Sequence, residues 1–494
     1  MDIFLLALSI KAQLPEEPQA IHVPAYLEDS ADLQDPRLDG GSLEIEIADL
    51  HGDGHLDLVM IGDHGSPGIN TNQHGITVWQ GNGAGRWLLV QTGQFGYGGI
   101  AVGDVNNDGF QDVGYGMHHN YSGQDFGDQL LEVALGDGSA ASWTPWDDGL
   151  ATSGETWGMA ATDFGDVDAD GDLDLASISF GCCSGVHVYR NLGTGQWQSS
   201  YGFLGGNSGE ECFFAELNGD GHLDLVVASD QVTVLLGDGT GSFQAADGGL
   251  PGGPMRTGLS AGDLDFDGRQ ELCFILAGAP SVHRFDGQQW QPVATQGLPA
   301  SGNFQKSLWI DANADGRLDL WLFGRGEGGL WLGLGNGRFR RANRISTPGP
   351  GYVEVLRAAD VDHNGFPDLL LVAEEGGLFS SRNRLRLFRE TAVATSWDLR
   401  VTAPWRRAVL RAGAVHTLRW TAAVPAGNLP ALTVELSTQG PNGPWTVLGA
   451  AIPNHGHWQW QVPATTSNRC FLRLDLRNAG HSMATARCGP FEIR

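Results

Sequence analysis

The sequence predicts an all-β protein, a seven-bladed β-propeller followed by a small β-sandwich. Three observations predict this fold class. A nine-residue acidic motif recurs seven times, a short apolar run follows most of the copies, and glycine, at 73 of 494 residues, is spread along the whole chain. Frequent glycine with short apolar runs is typical of many turns and short strands. No long segment has the periodicity of a helix.

The charge balance excludes two classes of partner. The chain has 58 acidic against 29 basic residues, a formal net charge of −29. Nucleic acid requires a basic surface, so we expect no nucleic-acid partner. No apolar run is long enough to cross a bilayer, so we expect no membrane insertion. Two explanations of the acidity remain: a solvated acidic surface, or carboxylates gathered to hold cations.

The repeated motif favours cations. Its copies occupy residues 49–57, 104–112, 166–174, 216–224, 263–271, 311–319 and 360–368. Position 6 is always glycine, which permits the positive φ of a tight loop. Positions 1, 3, 5 and 9 carry oxygen-bearing side chains in every copy except at His51. Calcium takes six to eight such oxygen ligands, and a backbone carbonyl near position 7 can add one more.

We therefore predict up to seven Ca²⁺ ions, one per blade. The 23 carboxylates at the four positions would repel one another without metal, and seven ions would change the formal charge from −29 to −15. The weaker sites are expected where the pattern departs, at His51, Glu216 and Asn364. The predicted ligands are Asp49, His51, Asp53, Asp57, Asp104, Asn106, Asp108, Asp112, Asp166, Asp168, Asp170, Asp174, Glu216, Asn218, Asp220, Asp224, Asp263, Asp265, Asp267, Glu271, Asp311, Asn313, Asp315, Asp319, Asp360, Asp362, Asn364 and Asp368.

The flanks of the motif predict propeller blades rather than EF-hands. Short apolar, strand-like runs follow position 9, and a small residue precedes position 1 in six copies. Each motif therefore joins a first strand to a second. A third strand and an aromatic residue at the start of a fourth follow, with a period near 50 residues. The seventh unit ends after Arg389 without a fourth strand, and we predict that the stretch 21–27 supplies it.

These repeats resemble the FG-GAP/VCBS repeats of integrin α-subunit propellers and of many secreted bacterial proteins. Similar seven-bladed calcium propellers occur among fungal lectins. The resemblance covers residues 20–395 and implies a secreted or cell-surface protein with a lectin-like or cell-adhesion role. It fixes the fold and the metal more firmly than the function, because this scaffold serves adhesion, sugar binding and some lyases.

Long loops on the propeller face opposite the motif are the predicted ligand site. The first two repeat intervals, of 55 and 62 residues, are longer than the rest, and long loops on a rigid scaffold commonly bind ligands. Aromatic rings beside amides and carboxylates suit a carbohydrate. The alternative is that these loops only pack on each other over the axis. The candidate residues are Tyr97, His118, His119, Tyr121, Asp125, Trp157, Cys182 and Cys183.

Two further segments flank the propeller. Residues 1–19 contain an apolar run at 3–10, which we interpret as a truncated signal peptide or leader, with a disordered or strand-forming terminus as the alternative. Residues 396–494 are predicted to form a β-sandwich similar to fibronectin type III or immunoglobulin-like domains. Within it, Cys470 and Cys488 lie in consecutive strand-like segments, which favours a disulfide bond. Cys212 is a possible partner of Cys182 or Cys183, and Cys273 is expected to be a buried thiol.

Three functional hypotheses follow. The first is a secreted, monomeric, calcium-stabilised recognition protein that binds a glycan or a cell-surface protein. The second is a polysaccharide-active enzyme, a lyase or hydrolase, that uses the loops of blades one to three, with His118, His119 and a nearby aspartate for acid–base chemistry. No nucleophile motif accompanies those histidines, so we name no catalytic residue. The third is a purely structural or adhesive surface protein.

Overall fold

We analysed a computed structural model of the chain. The structure describes residues 22–35, 44–61, 75–91, 93, 99–117, 126, 128–150, 159–179, 185–204, 211–229, 231–253, 258–343, 353–375 and 382–494. The described residues form strands, turns and bends and no helix, so the predicted all-β class is confirmed. Accordingly, they include no helix with the length and apolar character needed to cross a membrane.

Seven four-stranded antiparallel sheets make up residues 26–390. Strand β1 (Tyr26–Glu28) comes first along the chain but belongs to the last sheet. Sheet 1 contains β2 (Ile45–Ala48), β3 (Asp57–Ile61), β4 (Ile76–Gly81) and β5 (Trp87–Gln91). Sheet 2 contains β6 (Ile100–Gly103), β7 (Asp112–Gly116), β8 (Leu131–Gly136) and β9 (Trp143–Pro145). Sheet 3 contains β10 (Met159–Gly165), β11 (Asp174–Ser179), β12 (Gly185–Asn191) and β13 (Trp197–Leu204).

The remaining sheets repeat the same order. Sheet 4 contains β14 (Glu211–Ala215), β15 (Asp224–Ala228), β16 (Val232–Gly237) and β17 (Phe243–Ala245), and sheet 5 contains β18 (Ser260–Gly262), β19 (Glu271–Leu276), β20 (Ala279–Phe285) and β21 (Trp290–Pro292). Sheet 6 contains β22 (Phe304–Ile310), β23 (Asp319–Gly324), β24 (Glu327–Gly333) and β25 (Phe339–Asn343). Sheet 7 contains β26 (Val353–Ala359), β27 (Asp368–Glu375), β28 (Arg382–Glu390) and β1.

The N-terminal strand completes the seventh sheet, as the sequence predicts. Strand β1 pairs antiparallel with β28, with Tyr26 opposite Glu390 and Glu28 opposite Phe388. The Tyr26 hydroxyl donates to the carbonyl of Pro367 at 3.1 Å, and its ring meets the Trp321 ring edge-on at 4.9 Å between centroids. The first and last parts of this array are thus held in one sheet by main-chain hydrogen bonds.

A ring of polar contacts joins each sheet to the next. The first strands of neighbouring sheets lie side by side at six of the seven junctions, and β26 of the last sheet contacts β2 of the first. At six of the seven junctions a side chain beside or within a first strand bonds the neighbouring sheet. These contacts are Glu44 to Ile100 N (3.1 Å), Asp163 to Phe214 N (2.7 Å), Glu211 to Gly258 N (2.6 Å), Ser260 to Ser307 (2.8 Å), Gln305 to Val353 N (3.1 Å) and Arg357 to Glu46 (2.7 Å).

At the seventh junction, the bond beside the first strand is a backbone one. Between sheets 2 and 3, the N–H of Met159 donates to the carbonyl of Met117 at 3.0 Å. Apolar clusters lie farther out between neighbouring sheets: one combines Tyr115 of sheet 2 with Ile61 and Val78 of sheet 1. The ring is therefore apolar between the sheets and polar along their first strands, and hydrogen bonding of these polar partners limits the cost of burying them.

Residues 398–493 form two sheets that share one apolar core. A three-stranded sheet has the order β29 (Asp398–Ala403), β31 (Val415–Ala423) and β34 (His457–Gln461). A five-stranded sheet has the order β30 (Val409–Leu410), β36 (His481–Ile493), β35 (Ser467–Asn478), β32 (Ala431–Ser437) and β33 (Thr446–Pro453). Their facing side chains, such as Trp420, Leu432 and Leu474, pack into one cluster. We call residues 396–494 the C-terminal module.

The predicted disulfide between Cys470 and Cys488 is wrong. Both thiols are free, as are Cys212 and Cys273. The strand register places Cys470 opposite Phe491 and Cys488 opposite Leu472, so the two cysteines do not face each other across the ladder. Cys273 is a fully buried thiol, as predicted. Cys182 and Cys183, the proposed partners of Cys212, lie outside the described residues.

The C-terminal module lies against six of the seven acidic loops. We number these loops 1 to 7 in chain order and call the surface that they form the loop face. Loops 2, 3, 4 and 7 are hydrogen-bonded to the module, and glycines of loops 1 and 5 lie beside it. The contacts are Gly54 with Pro453, Asp104 N–H and C=O with the Gln459 amide (3.2 and 2.8 Å), Asp166 Oδ2 with Val415 N (2.8 Å), Gly219 O with Arg494 Nη1 (3.2 Å), Gly268 with Arg407 O, and His363 O with Val424 N (2.8 Å).

Opposite charge supports this docking. The module has ten arginines against four acidic side chains, a net of +6, whereas the rest of the chain has 19 basic against 54 acidic residues, a net of −35. Arg400 of the module acts on Asp311 of loop 6 and lowers its pKa, against the larger effect of burial, which raises that pKa to about 6. A basic module on an acidic face is electrostatically complementary, although part of this attraction is screened by salt.

We predict that removing the Tyr26 side chain opens sheet 7. Tyr26→Ala loses the hydrogen bond to Pro367 and the contact with Trp321, so we expect a loss of about 2–4 kcal/mol in the free energy of unfolding. Leu27→Ala is the matched control, because Leu27 is 68% exposed on the same strand. Chemical denaturation measures both, and equal losses for the two variants would contradict the closure of sheet 7 by β1.

We also predict that an added methyl group at position 6 is harmful to docking only where the module lies directly against that glycine. Gly268 and Gly316 both occupy position 6 of their loops, at φ +94° and +82°. A Cβ on Gly268 would lie 2.3 Å from the carbonyl oxygen of Arg407, whereas one on Gly316 meets nothing within 4 Å. Both alanine variants carry the left-handed strain of about 1–2 kcal/mol.

We therefore expect only Gly268→Ala to loosen the module. Limited proteolysis across the connection 391–397, followed by intact-mass analysis, reports the release of the module. Equal cleavage rates for the Gly268 and Gly316 variants would show that the contact at Gly268 does not hold the module in place.

Candidate metal centres

Each loop is a tight hairpin with two residues in the left-handed region. Position 6 is glycine in every copy, with φ between +82° and +101°. Position 4 is left-handed as well, with φ between +57° and +81°, and the sequence analysis did not identify it. The residues at position 4 are Gly52, Asn107, Ala169, Gly219, Phe266, Ala314 and His363. Five of the seven are not glycine, so the surrounding hydrogen bonds must offset the backbone strain there.

The carboxylate at position 1 organises the turn. In six loops one of its oxygens accepts the N–H of the glycine at position 6, at 2.8–3.1 Å. In loop 4 the longer Glu216 accepts instead from Gly219 at 2.5 Å and Asp220 at 3.1 Å. The carboxylate at position 1 thus holds the loop in a turn that places the side chains of positions 3 and 5 near it. In loop 4 the longer Glu216 bonds different N–H groups, so this turn has a different shape.

The carboxylate at position 9 ties the loop to the third strand. One oxygen accepts the N–H of position 2, at 2.8–3.0 Å in all seven loops. In six loops its other oxygen accepts a backbone N–H at the end of the third strand, as in Gly237 to Asp224 at 3.0 Å. In loop 5, Arg284 Nε bonds Glu271 at 2.7 Å in that place. Position 9 is at most 1% exposed in every loop.

Burial raises the pKa of these carboxyl groups. It raises the pKa of Asp112, Asp224 and Asp319 to about 8 and that of Glu271 to about 7, although the hydrogen bonds to N–H groups act in the opposite direction. Neighbouring acidic groups of the same loop add to the effect at Asp112. A buried carboxylate beside others is unfavourable at neutral pH unless a cation or a proton compensates it.

Four loops bring three charged or imidazole ligand atoms within 4.8 Å of one another. These sets are Asp49, His51 and Asp53; Asp166, Asp168 and Asp174; Asp263, Asp265 and Glu271; and Asp360, Asp362 and Asp368. In loops 2, 4 and 6 position 3 is an asparagine, whose amide donates to the aspartate at position 5, as in Asn106 to Asp108 at 2.9 Å. The donors are hard oxygens in a tight turn, which fits calcium or a similar hard cation.

One buried oxygen in loop 3 supports this fit. Asp168 Oδ1 has no hydrogen-bond partner within the described structure, while its Oδ2 accepts from Arg190 at 3.2 Å. Buried acceptors are rarely left unsatisfied. The residues present therefore fit a divalent cation at this position, with Asp168 Oδ1 as one of its ligands.

Loop 1 differs because position 3 is a histidine rather than an aspartate or an asparagine. The His51 imidazole lies between two carboxylates, with Nδ1 2.8 Å from Asp57 and Nε2 2.9 Å from Asp53. Burial lowers the pKa of His51, but Asp57, Asp53 and Asp49 together raise it above its ordinary value. The predicted departure at His51 is thus visible in the geometry, since this side chain bridges the carboxylates that would otherwise face a metal.

The predicted ligand-binding residues cannot be placed. Tyr97, His118, His119, Tyr121, Asp125, Trp157, Cys182 and Cys183 all lie outside the described residues. Two of the segments that contain them, from His118 to Asp125 and from Cys182 to Cys183, follow strands β7 and β11 in the sequence. Strands β7 and β11 begin at the loop face and end away from it. The connections after them therefore start on the opposite side of the sheets, which we call the far face.

A buried acidic pair lies at the far face of sheet 2, where the sequence analysis identified nothing. Tyr115 and Glu132 are cross-strand neighbours on β7 and β8, and Asp147 follows β9. Glu132 is fully buried and hydrogen-bonded to Asp147; burial and that neighbouring acid raise the pKa of Glu132 strongly. Burial also raises the pKa of Asp147 to about 6, although its hydrogen bond with Glu132 lowers it. The pair therefore shares a proton near neutral pH.

The spacing of this pair does not match a glycosidase. Retaining enzymes hold their two carboxyl groups about 5–5.5 Å apart and inverting enzymes farther. Groups in direct hydrogen bond are closer than either. In the sequence, the only sign of this pair is an acidic residue within or beside an apolar strand. That sign does not identify which strands lie next to each other in the fold.

The comparisons with known proteins agree with this architecture. The family model described as FG-GAP-like repeat matches residues 49–115, 166–227, 216–274 and 311–371, so the chain carries FG-GAP-like repeats in four places. No curated protein matches the chain significantly.

Several solved structures are similar at low identity. A lectin of Agrocybe aegerita that recognises non-reducing terminal N-acetylglucosamine is 19% identical, covering 62% of this chain and 80% of its own, with a TM-score of 0.42. A protein from Lactobacillus plantarum is 12% identical, covering 76% and 98%, with a TM-score of 0.36. The Tc holotoxin pore of Photorhabdus luminescens is 13% identical, covering 88% and 20%, with a TM-score of 0.34. Likenesses this distant carry no argument about ligand or activity.

We predict that Asp224→Asn is much less harmful to stability without calcium than with it. Because the folded pKa of Asp224 is raised to about 8, the metal-free protein is favoured by protonation of this group. The stabilisation from protonating Asp224 is complete below about pH 4, the pKa of an aspartate in the unfolded chain. It is lost as the pH rises through about 8, the pKa in the folded protein. Asparagine is neutral at every pH. Its amide NH₂ group, however, faces one of the two backbone N–H groups that Asp224 accepts, so we expect a melting temperature near that of wild type in EGTA at pH 8 and a clearly lower one in calcium.

The control is Asp238→Asn, the same change at an exposed aspartate of sheet 4. It should shift neither melting temperature by more than about a degree. Differential scanning calorimetry at pH 5 and pH 8 measures the four conditions. A variant at Asp224 that is destabilised equally in EGTA and in calcium would contradict a cation at loop 4.

Proposed function

Since the chain carries FG-GAP-like repeats, we propose that it is a calcium-stabilised recognition protein that binds its ligand on the far face. In this proposal the seven sheets are the blades of a closed seven-bladed propeller over residues 20–395. One calcium ion lies in each loop, and residues 396–494 form a module of the fibronectin type III or immunoglobulin-like kind. The protein acts outside the cell or at the cell surface, as a monomer.

The observation that carries the proposal is the position of the C-terminal module. It is hydrogen-bonded to loops 2, 3, 4 and 7 and lies beside glycines of loops 1 and 5, so it occupies much of the loop face. A recognition site needs an accessible, rigid surface. The far face is the remaining end of the array, and the longest connections between sheets 1 to 3 begin there.

The loops then have a structural role. Their carboxylates bond backbone N–H groups within each hairpin and at the third strand, so a cation bound there would tighten each sheet without contacting the ligand. This assigns the stability of the scaffold to one end and recognition to the other. Calcium removal is expected to weaken binding through the scaffold.

A carbohydrate is the ligand class that we favour. The segments that follow β7 and β9 in the sequence contain Tyr121 and Trp157, with histidines and aspartates near Tyr121 in the sequence. Aromatic rings stack on the apolar faces of sugars while carboxylates and amides bond their hydroxyl groups. A cell-surface protein is the alternative ligand. The alternative function is a polysaccharide-active lyase or hydrolase that uses His118 and His119, which lie outside the described residues.

The proposal predicts that aromatic residues of the far face carry binding. We expect Trp157→Ala and Tyr121→Ala each to weaken binding at least tenfold on a glycan array, the order expected for the loss of a stacking ring. Phe110→Ala is the control, because Phe110 is an aromatic residue of loop 2 that is 43% exposed. It should leave binding unchanged.

The array is run in calcium and in EGTA, followed by whole-cell binding. Binding to cells that survives removal of their surface glycans would assign a protein ligand instead. No binding to glycans or to cells, with the protein folded in calcium, would overturn the recognition proposal and favour a purely structural role.

A further inference from the structure

The residues at position 3 of the loops and on the third strands vary together. In loops 2, 4 and 6 position 3 is asparagine, and the third-strand residue beside the loop is leucine. In loops 3, 5 and 7 position 3 is aspartate, and the same third-strand residue is arginine. The pairs are Asn106 with Leu135, Asn218 with Leu236, Asn313 with Leu332, Asp168 with Arg190, Asp265 with Arg284, and Asp362 with Arg389.

The strand register shows that these third-strand positions are equivalent. Each follows the residue that lies opposite position 10 of its motif, as Arg190 follows Tyr189, the partner of Leu175. Leu135 follows Ala134, the partner of Val113, in the same way. The other four pairs have the same register. Loop 1 is a separate case, with His51 at position 3 and Gln80 on the third strand.

Each arginine bonds its own aspartate. Arg190 Nη1 lies 3.2 Å from Asp168, Arg284 Nη2 lies 2.5 Å from Asp265, and Arg389 Nη1 lies 3.0 Å from Asp362. In the loops with asparagine, the amide instead donates to the aspartate at position 5, at 2.9–3.2 Å. The extra negative charge and the extra positive charge therefore occur together and in contact.

The result is a nearly constant charge. Counting positions 1, 3, 5 and 9 with the third-strand residue, loops 2, 4 and 6 have three carboxylates and no cation, a net of −3. Loops 3 and 5 have four carboxylates and one arginine, also −3. Loop 7 reaches −2 because Asn364 occupies position 5. Loop 1, with three carboxylates and a neutral histidine, is again −3.

We propose that Arg190, Arg284 and Arg389 are charge-balancing positioning residues for the cation sites. Aspartate with arginine and asparagine with leucine are two interchangeable solutions that present the same net charge to a divalent ion. The arginine holds one oxygen of the aspartate at position 3 and directs the other toward the ion. In loop 3 the oxygen directed toward the ion is Asp168 Oδ1, which has no hydrogen-bond partner among the described residues. This inference rests on the proposed calcium function.

The alternation follows the order of the sheets. Aspartate–arginine pairs occur in loops 3, 5 and 7 and asparagine–leucine pairs in loops 2, 4 and 6, so neighbouring loops always differ. Arg190 also bonds Gln198 within its own sheet, which places the guanidinium independently of the metal. The pair in loop 3 is the most suitable for a test, because Arg284 also bonds Glu271 and Arg389 also bonds Asp29.

The test is a double-mutant cycle in loop 3 of the full chain. Wild type, Asp168→Asn, Arg190→Leu and the double variant are melted in EGTA and in calcium. We expect Arg190→Leu to melt several degrees lower than wild type in EGTA, because the loop then has one additional uncompensated negative charge. For the same reason, calcium should raise its melting temperature by more than it raises that of wild type. We expect Asp168→Asn to weaken the calcium response of this loop roughly tenfold, the order for one unit charge near an ion at a partly exposed site.

The double variant should have melting temperatures in EGTA and in calcium that lie within about a degree of those of wild type. The reverse exchange in loop 2 is the matched control: Leu135→Arg should lose calcium response, and Asn106→Asp with Leu135→Arg should regain it. Additive effects in either loop would overturn the inference. A gain of one tightly bound calcium in Arg190→Leu, without loss of stability in EGTA, would also overturn it, because the arginine would then be a competitor of the metal.

The two proposals fail in different ways. If calcium does not raise the melting temperature of wild type or change it in any variant, the calcium function fails. The cycle in EGTA still decides whether aspartate and arginine compensate each other. If calcium stabilises every variant equally, the calcium function survives and the charge-balancing role does not.

Discussion

The buried carboxylate at position 9 of each loop is the constraint on which the array depends. It accepts one N–H from its own hairpin and, in six of seven sheets, a second from the end of the third strand. Three strands are therefore fixed at one point by a group that is almost completely buried. Such a group is unfavourable as a charge in isolation, and its raised pKa reflects this cost. Cation binding at the loop is the most direct compensation.

The same constraint divides the molecule into two ends. Loops fixed in this way present backbone carbonyls and carboxylates at a regular spacing, and the basic C-terminal module lies on them. Bonding groups on the module come from several of its strands and turns, so it docks as a folded unit. The opposite end has no such regular element among the described residues, and its connections vary in length. The proposed function therefore assigns stability and recognition to different surfaces.

Several features of the site were predictable from the sequence because they are local. The loop motif, the glycine at position 6 and the supply of a strand by the N-terminal segment follow from spacing and periodicity. Others depend on which strands meet. The left-handed residue at position 4, the polar ring from Glu44 to Arg357 and the acidic pair Glu132–Asp147 have no sequence signature of their own. The disulfide prediction failed for the same reason, since register rather than proximity in sequence decides whether two cysteines face each other.

The sequence by itself determined the fold class, the seven acidic loops and the closing strand, because each is encoded within about ten residues by turn chemistry and alternation of apolar residues. Only the tertiary structure decided which end of the array is covered, since the docking of the module depends on long-range contacts such as Val415 with Asp166. The arginine–aspartate pairs depend on both the sequence and the tertiary structure. Their residues are visible in the sequence, but their equivalence follows from the strand register that places Arg190 beside Asp168.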